Sequence, residues 1–410
     1  MEPHQQIEPP PWMTAPQTGT VMKALNDTGR APQTLFVGGC VRNALLGKPV
    51  ADIDLATIHT PPQVMERLQR AGIRHIPTGI DHGTVTALVE GRSFEVTTLR
   101  RDVETDGRRA VIAFTADWAE DAGRRDFTMN TLLADEQGHI YDPLGQGLAD
   151  LRAGRVVFVG DPAARIAEDY LRILRFFRFH AFYGRGAPDP AALRACGESA
   201  PHMRRLSRER VTQEMMKILS ADDPAPTLAL MFSRNIAREF GGDGFDAAYV
   251  SEFCRLQRAF DEVDVLARLA VLMDMDAGRI PALMMLSNAQ LKFIRTLASL
   301  VHEGVDPSAR AVRSLVYRHG APAVKQGLLL SMTREGDTDL YRALFRIADT
   351  FSPPKFPLTG QDVMDLGVKP GAELGQLLAA AEHWWHAQDF APDRSACLRK
   401  LETLVQEIRP

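Results

Sequence analysis

The sequence predicts an α+β protein in which strands and helices mix through about residue 150 and helices alone follow. Three observations carry that reading. Apolar strand-like runs alternate with helical stretches as far as Ile140-Tyr141-Asp142-Pro143. Past the turn around Gly145-Gln146-Gly147, strand signals nearly vanish. From Glu168 onward the apolar residues recur at helical spacing. With 410 residues, the chain is long enough for several domains and a large core. Its 45% hydrophobic and 24% charged content is that of a soluble globular protein.

Residues 1–18 are expected to form a flexible segment. Met1 to Pro11 is polar and proline-rich without an apolar core, which excludes a secretory signal. Glu2 and Glu8 precede the first basic residue, Lys23, against the pattern of a mitochondrial presequence. Cys40, Cys196, Cys254 and Cys397 are far apart and lack metal-ligand spacing, as expected of reduced thiols in a cytoplasmic protein. No run approaches the roughly 20 apolar residues of a membrane span, so no membrane partner is expected. The net charge of −4 places any nucleic-acid-binding surface locally rather than globally.

Residues 19–34 read as a helix leading into an apolar strand, Leu35-Phe36-Val37. Gly38-Gly39 then turns into a short helix closed by Gly47. The diglycine lets backbone N–H groups approach a phosphate, and Arg42 adds a cation beside it. With twelve residues between it and Gly39, Asp52 opens Asp52-Ile53-Asp54 on a second strand. Strand alternation puts the two carboxylates on one side, about 6.5–7 Å apart, a pairing that suits hard divalent cations and in-line phosphoryl chemistry. The G-x-G-x-x-G pattern of a dinucleotide loop is absent.

Thr60-Pro61-Pro62 opens a helix through Arg70. Gly83–Val89 and Ser93–Leu99 flank Glu90-Gly91-Arg92 as a hairpin. Glu95 lies mid-strand and becomes a third carboxylate if its strand neighbours that of Asp54. Residues 100–118, with Asp106-Gly107-Arg108-Arg109, read as a mobile charged loop. In Arg124-Arg125-Asp126-Phe127-Thr128-Met129-Asn130 the arginines suit phosphates. Asp126 and Asn130, four apart on one helical face, suit ribose hydroxyls.

Glu168–Phe179 reads as one helix with arginines at every third position, and basic residues outnumber acidic ones by ten to six between Glu168 and Lys217. Asp169 and Arg172 on one face of that helix combine an acceptor with a guanidinium fork, enough to read a base edge. Residues 220–350 are helical patterns broken at Pro224, Pro226, Gly241–Gly244 and Gly320. A Ser-Pro-Pro-Lys-Phe-Pro linker at 352–357 precedes a glycine-punctuated segment and a helix bearing Trp384 and Trp385, at least one of them buried.

Together these motifs resemble the class II nucleotidyltransferase family of bacterial tRNA CCA-adding enzymes and poly(A) polymerases. The resemblance spans most of the chain and implies a mixed α/β head (residues 19–150) followed by a helical neck (151–222), body (223–350) and tail (351–410). It implies Mg²⁺ on Asp52 and Asp54, with Glu95 as a further catalytic carboxylate. Gly38, Gly39 and Arg42 would hold the triphosphate, and Arg124, Asp126 and Asn130 the phosphates and sugar. Asp169 and Arg172 would select C or A, with Arg175 and Arg178 completing the nucleotide-binding set. CTP, ATP and tRNA are the implied substrates, for a monomer or homodimer. Asn43 and Thr131 depart from the commoner Asp and Ala but touch no metal ligand or template residue. Among the family's products, the charged 106–109 loop and His82-Gly83-Thr84 favour complete CCA over CC-only, A-only or poly(A) addition. An inactive RNA-binding module would leave the clustered carboxylates unexplained.

Overall fold

A computed structural model describes residues 1–105, 110–240 and 246–408. The Asp106–Arg109 loop and the Gly241–Gly244 break therefore lie outside the described residues. The chain divides into two compact units, one of residues 1–218 and 230–239, the other of residues 219–229 and 240 onward. The first contains all the described strands and residues 151–218 of the 151–222 stretch expected as the neck.

Its elements begin β1 (Gln5–Gln6), α1 (Pro16–Leu25), β2 (Thr34–Val37), α2 (Gly39–Leu45), β3 (Ile53–Thr57), α3 (Pro61–Arg70) and β4 (Arg74–Gly79). They continue with β5 (Thr84–Val89), β6 (Arg92–Thr98), β7 (Arg100–Thr105), β8 (Ala110–Phe114), α4 (Trp118–Gly123), β9 (Leu133–Ala134) and β10 (His139–Tyr141). Helices α5 (Gly147–Ala153), α6 (Pro162–Glu168), α7 (Leu171–Tyr183), α8 (Pro190–Ser199) and α9 (Arg208–Leu219) follow.

Eight strands form a mixed sheet in the order β1-β10-β9-β2-β3-β6-β5-β4. Every neighbouring pair is antiparallel except β3 and β6, which run parallel with Asp54 opposite Glu95. The expected hairpin is β5–β6, turned at Glu90 and Gly91, both at positive φ. The capping of α3 follows its sequence, with Gln63 Oε1 accepting from the Thr60 N–H at 2.9 Å.

Three expectations change. The N-terminal segment is anchored, not flexible: the His4 N–H donates to the Ile140 carbonyl (2.8 Å), the Ile7 N–H to that of Gly138 (2.9 Å), and Met13 is fully buried. Helix α1 stops at Leu25, because the Asn26 side chain accepts from the Gln33 and Thr34 amides (2.8 and 2.9 Å) and turns the chain into β2. The charged stretch after Leu99, read as a loop, begins and ends as a two-stranded sheet, β7 against β8, with Arg100 opposite Phe114. Charge and glycine content concealed β7 and β8, whose backbones pair with each other outside the main sheet.

Among the described residues, the regular elements of the second unit are all helices. Arg268, 1% exposed, sits at its core and donates to the Leu219 and Ala221 carbonyls (2.7 and 2.6 Å) and to Gln257 Oε1 (2.6 Å). The expected linker is non-helical from Phe351 to Thr359. Beyond it, Trp385 is buried with Leu377, Ala381, Cys397 and Leu401 in a separate small core.

Gly138 closes the β9–β10 turn at φ +81°, where an added Cβ would lie 2.3 Å from the Ile7 carbonyl oxygen. Gly138→Ala is expected to detach β1 and lower stability by about 1–3 kcal/mol. Urea denaturation of the two proteins measures the difference.

Candidate active site

The site is built where β2, α2, β3, the Arg124–Asn130 segment and α7 converge on one cavity of about 450 Å³. Gly38 links β2 to α2 with φ 71° and ψ −120°, a backbone conformation restricted to glycine. A Cβ there would sit 3.5 Å from Arg125 Nη1, so the missing side chain keeps that guanidinium close to the chain turn. Gly38 and Gly39 both line the cavity, as does Asp54 on β3.

Asp52 precedes β3 and is exposed, whereas Asp54 is half-buried. Burial raises the Asp54 carboxyl above its ordinary range, and the charges of Glu95 and Asp52 push it further, against the opposing pull of Arg125. Glu95 thus stands beside Asp54, as the parallel register requires. Among the described residues, however, no three His, Cys, Asp or Glu side chains converge in an arrangement that would hold a metal ion.

Opposite lies a polar network. Asp126, 8% exposed, accepts from the Phe127 amide (2.9 Å), from Asn130 Nδ2 (3.0 Å) and from Arg175 Nε on α7 (2.8 Å). Burial alone would raise its carboxyl, but Arg175 and these hydrogen bonds outweigh burial and hold it below the usual range. The segment is an extended residue followed by a 3-10 turn, Thr128–Asn130, rather than one helical face. Phe127 anchors it, packing within 4.8–4.9 Å of Phe158 and Phe179, ring centre to ring centre. Arg42 donates through Nη1 to Asn130 Oδ1 at 2.6 Å. The arginine expected to grip a triphosphate is thus buried in the cavity wall, every nitrogen already bonded.

Arg124 and Arg125 are held together by Asp121, which is 3% exposed and accepts from Arg124 Nε (2.9 Å) and Arg125 Nη2 (2.9 Å). Burial pushes the Asp121 carboxyl up, and the two guanidinium charges more than reverse it. Sequence reading missed Asp121, although its spacing of three and four residues from the arginines is a helical ion-pair signal.

The reading of Asp169 and Arg172 on one helix face needs correction. Helix α6 ends at Glu168, and Asp169 is extended, at φ −156° and ψ 107°. Its Oδ1 caps α7 by accepting from the Leu171 amide (3.1 Å), and its Oδ2 takes Arg210 Nη2 of α9 (2.7 Å). Arg172 instead bonds the Arg165 carbonyl (2.9 Å) and pairs with Glu168. Both still line the cavity, with Arg175. Arg178 does not; it pairs with Glu214 at 3.2 Å and lies 4.9 Å from the Phe179 ring centre. Three lining residues were given no role in the sequence: Leu171, Phe179 and Arg210. The excess of basic residues over 168–217 was the only signal for Arg210.

A cavity walled by Arg42, Arg124, Arg125, Arg172, Arg175 and Arg210, with a half-buried strand aspartate and a diglycine turn on one side, is built for a polyanion next to a carboxylate centre. That combination, on this mixed sheet, defines a nucleotidyltransferase head. The Poly A polymerase head domain family matches residues 34–157, and the family described as "Probable RNA and SrmB- binding site of polymerase A" matches residues 187–240. The human mitochondrial CCA tRNA nucleotidyltransferase 1 is 33% identical over 380 residues, 88% of this chain and 85% of that protein. A CCA-adding enzyme of Limosilactobacillus fermentum is 30% identical over 358 residues, covering 84% and 86%. The chain belongs to the family of CCA tRNA nucleotidyltransferases, the CCA-adding enzymes. Its fold is that of the Bacillus stearothermophilus CCA-adding enzyme solved with CTP, with a TM-score of 0.76 over 95% of this chain and 97% of that one at 24% identity.

The depressed Asp126 carboxyl has a consequence for acid stability. Its folded pKa lies below the unfolded value near ~3.9, so its contribution is complete above about pH 5 and is lost as pH falls through the folded value. Asp126→Asn is expected to cost about 2 kcal/mol at neutral pH. The variant's Tm should also fall less steeply than the wild type's below about pH 4, as thermal melts across a pH series would show.

Proposed function

We propose that this enzyme builds the CCA end of tRNA from CTP and ATP, releasing pyrophosphate at each addition. The observation that carries the proposal is the placement of Asp54 on the wall of a cavity that six arginines also line. A nucleoside triphosphate needs that pairing, with cations for its phosphates and a carboxylate centre at the bond to be broken.

The donor set fits Mg²⁺. Asp52 and Asp54 offer hard oxygen ligands, and the Asp54 carboxyl, raised by burial and then by the charges of Glu95 and Asp52, is one that a divalent cation would return to its ionised form. The chemistry such an ion supplies when bound is neutralisation of charge at the α-phosphate and acidification of the attacking 3′-hydroxyl.

The chain's own residues do the rest. The Gly38-Gly39 backbone, which no side chain screens, receives the phosphates together with Arg124 and Arg125, both preset by Asp121. Asn130 and Asp126 face the sugar, fixed from behind by Arg42 and Arg175. Asp169 and Arg172 meet the base, the carboxylate accepting from the exocyclic amine that cytosine and adenine share and that uracil lacks. Because their present partners are Arg210 and Glu168, base binding is an exchange of hydrogen bonds at a prebuilt edge. Residues 151–222 act as the neck, and 223–350 and 351–410 as body and tail toward the tRNA. All four cysteines are free and buried, which supports a reducing compartment, here the cytoplasm. Among the described residues, no helix is long and apolar enough to cross a membrane.

Asp52→Ala and Asp54→Ala should each abolish nucleotide incorporation with little change in Tm; turnover close to wild type in either would remove that carboxylate from the assignment. Incubation with Mg²⁺, CTP, ATP and tRNAs ending before CCA, after C, or after CC should yield products longer by three, two and one nucleotides. Two additions only, a single A, or long tails on the shortest tRNA would select a different product.

A further inference from the structure

Arg42 is a buried cation whose hydrogen-bond partners are all neutral. Its Nε and Nη2 donate to Asn43 Oδ1 (3.3 and 3.1 Å), its Nη1 to Asn130 Oδ1 (2.6 Å), and its Nη2 also to the Tyr183 hydroxyl (2.8 Å). That hydroxyl donates onward to Asn43 Oδ1 at 3.2 Å. The Arg42 guanidinium carbon lies 4.2 Å from the Tyr183 ring centre and 5.1 Å from that of Phe179, so two aromatic faces take the place of a carboxylate. Burial lowers the Arg42 pKa, and the Tyr183 contact works against that.

Tyr183 ends α7, the helix whose first turns supply Arg172 and Arg175 to the cavity. The bonds therefore close a circuit. From Arg175 it runs to Asp126, to Asn130, to Arg42, and through Tyr183 back to the same helix about two turns further on. A second tie lies beside it, where Lys48 Nζ donates to the Phe182 carbonyl (3.0 Å) and sits 4.8 Å from the Tyr183 ring centre. A closed circuit constrains its members more than an open chain, because no link can rotate without breaking the next.

We propose that Tyr183 is a positioning residue of the nucleotide cavity, holding Arg42, and through it Asn130 and Asp126, in the arrangement that receives the nucleotide. The proposal rests on the reading of the cavity as the nucleotide site. It also reassigns Arg42, which serves as a fixed strut and a source of positive potential in the wall rather than as a mobile grip on the triphosphate. Tyr183 itself touches no reacting atom. Removing its hydroxyl leaves Arg42 one acceptor short and takes one of three donors from Asn43 Oδ1, while removing its ring strips the cation of one of its two aromatic faces.

The test compares full-length wild type, Tyr183→Phe and Tyr183→Leu by Tm, by calorimetric titration with CTP and with ATP, and by steady-state incorporation into tRNA lacking its CCA. Tyr183→Phe should weaken binding and raise KM for both nucleotides about tenfold, with kcat within about twofold and Tm essentially unchanged. Tyr183→Leu should weaken binding further, by about fiftyfold or more relative to wild type, since the cation–π contact goes as well. Should Tyr183→Leu fail to fold, Tyr183→Phe, which loses a single oxygen, decides alone. Wild-type affinity for both nucleotides in Tyr183→Phe, or a fall in Tm with KM unchanged, would overturn the positioning role. Wild-type protein that binds neither CTP nor ATP would instead overturn the reading of the cavity, and this proposal with it.

Discussion

The Asp126 carboxylate is the joint on which the first unit turns. It lies between the sheet-side segment and α7, nearly withdrawn from solvent, and both of its oxygens are committed. A buried carboxylate without partners is strongly unfavourable, so Arg175 and Asn130 are obligatory neighbours rather than optional ones. Arg175 brings α7 to the sheet, and Asn130 brings the Arg42 side chain of α2. Phe127, next in sequence, inserts into the aromatic cluster of Phe158, Phe176 and Phe179 and so fixes the carboxylate's height above the helix. Apolar packing sets the distance between sheet and helix, and one shared charge sets their register.

The cavity shows how a net-acidic protein concentrates positive potential. Five of its six arginines are fixed by an acid that leaves part of the cation facing the cavity: Asp121 for Arg124 and Arg125, Asp126 for Arg175, Glu168 for Arg172, Asp169 for Arg210. These acids keep the guanidinium groups from repelling one another apart, and the face that each cation turns to the cavity suits an anionic ligand. Preorganisation of this kind limits the ordering that binding must impose on long side chains.

Much of this was legible in the residues. Spacing and alternation located β2, β3, β5, β6 and α3, but the residues left open whether the strand of Glu95 neighbours that of Asp54, which the parallel register of β3 and β6 decides. What escaped were features decided by long-range pairing. Gln5–Gln6 carries no strand signal of its own and is ordered by the free edge of β10. Strands β7 and β8 hide in a charged stretch because their pairing with each other overrides weak propensity. Arg42 looked like a phosphate ligand because its aromatic neighbours lie some 140 residues away. The break between α6 and α7 was invisible because Glu168–Phe179 has unbroken helical spacing. Asp169 leaves that helix to cap the next one, a competition between side chain and backbone that spacing does not report.

The lone parallel pair, β3 with β6, carries a consequence for how the protein comes into being. Antiparallel neighbours such as β5 and β6 zip from a short turn. Asp54 and Glu95 meet only after the whole crossover of residues 58–91, with α3, β4 and β5, has been laid down. Their juxtaposition is a contact of high sequence separation, of the sort that two-state chains close late and slowly. Bringing Glu95 beside Asp54 therefore carries the loop-closure cost of the whole crossover, a cost that the hairpin of β5 and β6 does not bear.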